Sequence, residues 1–95
     1  MILRVYHARV RPGQEAEFER LVKEDAVPLM ESQPGFLGLH MGRELNGAPE
    51  FVLVSLWRDL EALKAFAGET WQQPVVLHPD AHVLEKTWVE QFDTG

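Results

Sequence analysis

The first hydrophobic pattern in the chain has a period of two. Ile2, Arg4, Tyr6, Ala8 and Val10 alternate with Leu3, Val5, His7 and Arg9. β-Branched or aromatic residues stand in both sets, which predicts a strand over Ile2 to Val10. Arg11, Pro12 and Gly13 interrupt it, because proline removes a backbone donor and glycine admits turn dihedrals. From Gln14 the spacing changes to three and four. Phe18, Leu21, Val22, Ala26, Leu29 and Met30 fall on one stripe, with Glu15, Glu17, Glu19, Arg20, Lys23 and Glu24 elsewhere. This predicts an amphipathic helix with an acidic, solvated face, whose early glutamates suit the positive end of the helix dipole. Pro28 removes one donor and is expected to kink or restart the last turn, and Ser32 to Gly35 ends the helix.

Alternation resumes over Phe36 to Glu44, with Leu37, Leu39 and Met41 against Phe36, Gly38, His40 and Gly42. The glycine-bearing set carries little bulk, as expected where another backbone, a ligand or a second subunit comes close, and His40 is assigned to such an interface. Asn46-Gly47, extended by Ala48-Pro49, predicts a hairpin into a third strand over 50–57. Between Phe51 and Trp57 only Ser55 is polar, so this strand is expected to be central and covered on both faces. Asp59 is a helix N-cap candidate, Leu60, Leu63, Phe66 and Ala67 form the apolar stripe, and Gly68 is the stop. The stretch from Glu69 to Leu77, bounded by Pro74 and Pro79, is compatible with another helical turn, and Ala81 to Phe92 alternates as a last strand.

The order strand, helix, strand, strand, helix, strand predicts a ferredoxin-like α+β domain spanning 1–95, with both helices on one face of a four-stranded antiparallel sheet. Apolar residues on both faces of the strands leave one face to be covered. A homodimer through that face is therefore expected.

Composition narrows the function classes. Nine Lys and Arg against fifteen Asp and Glu give a formal charge of −6, which repels phosphate backbones and anionic lipid surfaces, so neither nucleic acid nor membrane is an expected partner. There is no apolar run long enough for a membrane span, and Met1 leads directly into a strand pattern, so a cytoplasmic location is expected. The absence of cysteine excludes disulfides, thiolate nucleophiles and thiolate-ligated metals.

Three features carry candidate chemistry. His7, read as facing the helices, can accept a proton from a phenol and donate to the resulting anion, or can be a hydrogen-bonded polar residue near the strand end. Trp71 offers a flat apolar face and one N–H, or belongs to the core. His78, Asp80 and His82 space two imidazoles and a carboxylate as a metal triad would, but Pro79 makes a solvated loop the reading adopted, with no metal. No phosphate-binding glycine loop or nucleophile elbow is present.

Pro34-Gly35-Phe36-Leu37-Gly38, the strand Phe51 to Trp57, and the run from Trp57 through Phe66 into Ala67-Gly68-Glu69 resemble the antibiotic biosynthesis monooxygenase (ABM) family over nearly the whole chain. The resemblance implies a ferredoxin-like protomer paired sheet to sheet as a dimeric α+β barrel, with a pocket between sheet and helices. Relatives include cofactor-independent monooxygenases of quinols or polycyclic phenols, and haem-degrading monooxygenases. The haem-degrading branch uses an asparagine on the first strand, an aromatic on the second helix and a later histidine. Here those positions fall on His7, Phe66 and Val76, with His78 two residues beyond, so two of the three differ. The expectation is a cofactor-independent monooxygenase of a small aromatic or quinol-like substrate, with His7 and His78 handling protons and Phe66 and Trp71 walling the pocket. The alternatives are a non-catalytic dimeric barrel binding a small apolar ligand, and a haem-binding or haem-degrading monooxygenase.

Overall fold

The computed structural model describes residues 1–75 and 82–95. Strand β1 (Ile2–Val10) is followed by helix α1 (Glu15–Leu21), a π-helical turn (Val22–Ala26) and helix α2 (Val27–Glu31). Strands β2 (Phe36–Arg43) and β3 (Glu50–Trp57), helix α3 (Leu60–Ala67) and strand β4 (Leu84–Asp93) complete the order. The sheet runs β2-β3-β1-β4 with every neighbouring pair antiparallel, the ferredoxin-like α+β arrangement expected. Among the described residues no helix is long and apolar enough to cross a membrane.

Local chemistry explains most boundaries. Asp59 accepts a hydrogen bond from the Ala62 amide and so caps α3, and Gly68 ends it with φ +80°. The Glu44 carboxylate gathers the amides of Asn46 and Ala48 and closes the β2–β3 hairpin. The Pro28 discontinuity takes the form of a π-helical turn just before it. The amide of Val27 donates to the carbonyl of Val22, five residues back, which widens the helix where proline cannot continue the ladder.

Alternation along the strands divides the sheet into two faces. Arg4, Ala8 and Val10 on β1, and Phe51, Leu53, Ser55 and Trp57 on β3, are buried toward the helices. The opposite set includes Leu3, Val5, Val52, Val54 and Leu56, half-buried in the isolated chain, and Phe92, 49% exposed. Among the described residues of the isolated chain, the helices cover the third strand on one face. A register shift between Phe36 and Gly38 corrects one expectation. Phe36 pairs with Trp57 and lays its ring edge against the indole at 5.4 Å, instead of sharing a face with Gly38 and His40, because the bulge inserts one residue into the alternation.

Under the helices the core forms two clusters. Ala8, Val10, Phe18, Leu21, Phe51 and Val83 belong to one, and Met30, Trp57, Ala62 and Leu63 to the other. Ala26 and Leu39 pack against both.

Candidate functional site

A cavity of about 50 Å³ opens at the seam between those clusters, and Ala26 and Leu39 line it. Its sheet wall carries Arg4, Tyr6, Leu53 and Ser55, and its helix wall includes Val22, Met30 and Phe66. The π-helical turn places Val22 and Ala26 on this wall, a common position for such turns. Phe66 reaches it from α3, its ring stacked on Trp57 with centroids 5.0 Å apart.

The charged residue in the described lining of this largely apolar cavity is Arg4, only 3% exposed. Its guanidinium donates to the carbonyl oxygens of Trp71 at 2.7 Å and Gln73 at 3.0 Å, and to the Gln91 side-chain oxygen at 2.9 Å. All three acceptors are neutral, and among the described residues no carboxylate forms an ion pair with it. Burial pushes its pKa below the ordinary value and the neighbouring Tyr6 acts in the other direction. An arginine stays protonated through such shifts, so the cavity wall holds a fixed positive charge. Ser55 adds a hydroxyl, whose oxygen accepts the Trp57 indole N–H at 3.0 Å.

The expected site residues separate. Phe66 lines the cavity. Trp71 contributes its carbonyl to Arg4, while its ring packs against the Trp57 and Leu63 cluster under the Lys64 ammonium, 5.9 Å from the ring centroid. His7 lies on the opposite face of the sheet from the cavity. It stacks on Trp88 with centroids 4.8 Å apart and meets the Glu90 carboxylate at 2.9 Å. The reading that it faces the helices is corrected, because Arg4, Tyr6 and Ala8 form the helix-facing set and His7 alternates with them. His78 and Asp80 lie outside the described residues, and His82 is exposed. Among the described residues no group of three His, Cys, Asp or Glu side chains is placed to hold a metal.

Sequence reasoning passed over Arg4, Tyr6 and Ser55. The available signals were Arg4 among the hydrophobic positions of β1 and the lone serine of β3, and alternation alone does not say which face meets the helices.

Residues 1–73 match the sequence model of the antibiotic biosynthesis monooxygenase family. The chain belongs to that family. Solved structures share the ABM fold across nearly the whole chain. A Bordetella bronchiseptica protein named for the family is 21% identical, covers 99% of this chain and 96% of its own, and superposes with a TM-score of 0.79. SnoaB, a cofactor-independent oxygenase from Streptomyces nogalater, is 24% identical over 99% of this chain and 92% of its own, TM-score 0.77. MhuD, a haem degrader from Mycobacterium tuberculosis with two haems in its active site, is 23% identical over 99% and 95%, TM-score 0.75. A search of curated proteins found no match. In this ABM chain the described lining of the cavity holds no histidine.

Proposed function

We propose that this ABM-family chain is a small cofactor-independent monooxygenase acting on an aromatic, quinol-like substrate in the cavity between sheet and helices. The observation that carries this reading is the buried Arg4 guanidinium on the wall of an otherwise apolar cavity. Oxygenation without a cofactor needs a substrate that reacts with O2 once deprotonated, and a fixed cation in apolar surroundings favours the phenolate. For a phenol with hydrogen at the ring carbon para to its oxygen, phenol plus O2 gives quinone plus water. The O–O bond breaks, one oxygen atom becomes the new carbonyl and the other leaves as water with the ring hydrogen and the phenolic proton. The substrate supplies all four electrons. Phe66 is the aromatic wall and Ser55 a second hydrogen-bonding group for the substrate oxygen. The facing of His7 leaves His78 as the histidine proposed to accept the phenolic proton.

Two further elements belong to this reading. The protein is a homodimer through the open face of the sheet, where Val5, Val54, Leu56, Trp88 and Phe92 offer apolar area that the helices do not cover. It acts in the cytoplasm.

An oxygen electrode with a panel of electron-rich phenols and naphthols that carry hydrogen at the para carbon, with hydrogen peroxide assayed alongside and none expected, tests the proposal. Uptake of one O2 per quinone formed, lowered by Phe66→Ala and by His78→Ala, is the expected result. Binding of the same compounds without any uptake overturns it in favour of a non-catalytic barrel.

A further inference from the structure

Arg4 is spent, in the described structure, on acceptors that do not neutralise it. Two of its three hydrogen bonds go to backbone carbonyls in the segment after α3, at Trp71 and Gln73, and the third to the amide oxygen of Gln91 on β4. Val75, two residues after Gln73, lines the cavity, so this segment forms part of the wall around the guanidinium. A buried cation whose acceptors among the described residues are all neutral oxygens is worth more to an incoming anion than to an incoming neutral group. The present bonds carry charge on the donor only, whereas an anionic ligand adds the attraction of the opposite charge, and the low-polarity surroundings of Phe18, Met30, Leu53 and Phe66 strengthen that attraction further. A neutral ligand gains nothing by displacing the carbonyls, since it offers the guanidinium the same kind of acceptor. The cavity of about 50 Å³ is smaller than an aromatic ring, so a ring enters by displacing part of the lining.

We propose that Arg4 makes the cavity selective for small phenols that also bear a carboxylate, ionised at neutral pH, which takes the guanidinium from the Trp71 and Gln73 carbonyls. This rests on the reading of the cavity as the substrate site and adds the charge of the ligand. Arg4 is a specificity residue in this scheme, and the planar fork of the guanidinium matches two oxygens of one carboxylate.

The probe is salicylate, compared with its neutral isostere salicylamide, each titrated calorimetrically into the full chain under argon. Salicylate is expected to bind at least about tenfold more tightly, because its carboxylate adds a Coulombic attraction to the guanidinium that the amide lacks. Arg4→Met is expected to abolish the preference. Arg4→Lys keeps the charge without the fork and should lower salicylate affinity while preserving its sign of preference. Gln91→Leu frees one guanidinium donor and should leave salicylate binding equal or tighter, so the proposal stays falsifiable if Arg4→Met does not fold. Equal affinity for the two probes, an anion preference that survives in Arg4→Met, or weaker salicylate binding in Gln91→Leu overturns it. Binding under argon involves no turnover, so failure of oxygen uptake leaves this result standing, and the absence of anion preference leaves the oxygenase reading to its own assay.

Discussion

The indole N–H of Trp57 donates to the hydroxyl oxygen of Ser55 at 3.0 Å, and both residues are buried beneath the helices. They sit two positions apart on β3 and so share its helix-facing side. Because the Ser55 oxygen receives this bond, its own hydrogen is directed elsewhere, and Ser55 lines the cavity. Ser55→Ala leaves a buried indole donor without its acceptor. The expected loss is about 1–3 kcal/mol in urea denaturation, with an unchanged far-ultraviolet spectrum.

Gly35 joins α2 to β2 with φ +82°, and its carbonyl accepts the Arg58 amide at 2.8 Å. A Cβ at this position would stand 2.5 Å from the Cβ of Ala62. Gly35→Ala therefore combines left-handed backbone strain with a collision between the loop and α3. A destabilisation of about 2–4 kcal/mol is expected from the two effects, measured as a lower denaturation midpoint at unchanged slope.

Asp59 and Glu44 are among the carboxylates that tie stability to acid pH. Asp59 is held below the ordinary carboxylate range by the Ala62 amide and then by Arg58, and Glu44 by the amides of Asn46 and Ala48. For groups whose folded pKa is depressed, the contribution is fully present above the unfolded values and is lost as pH falls through the folded ones. Melting temperature should thus decline on acidification below the ordinary carboxylate range. Asp59→Asn keeps a capping oxygen but does not titrate, so its acid decline should be shallower while its stability at neutral pH stays close to that of the parent.

The proposed dimer makes a separate prediction. Val54 lies at the middle of the open face, paired in register with Val5 on β1 and His40 on β2. Val54→Glu places a charge in the proposed interface, and sedimentation should report a folded monomer where the parent sediments as a dimer. A parent that sediments as a monomer removes the interface.

The ferredoxin-like order was legible because its signals are local. Period-two alternation over Ile2 to Val10, the Asp59 cap and Gly68 stop, and the Asn46-Gly47 turn each depend on neighbours within a few residues. The widened turn at Val22–Ala26 was legible only as a disturbance at Pro28, since proline states what it cannot bond and not how the helix adjusts.

The site was less legible. Alternation sorted Arg4 and Tyr6 into one set and His7 into the other, but a strand apolar on both sides carries no mark of which set meets the helices. The assignment was decided by packing, where Ala8 and Val10 close against Phe18 and Leu21, and that carried Arg4 inward and His7 outward to Trp88 and Glu90. Phe66 was found because a helix stripe declares its buried face. The sequence by itself determined the elements, their order and the sheet they form, since period, caps and turns are short-range. Only the tertiary structure decided which polar residues share a cavity, because Arg4 meets Trp71, Gln73 and Gln91 across separations of 67 to 87 residues, contacts that no local pattern encodes.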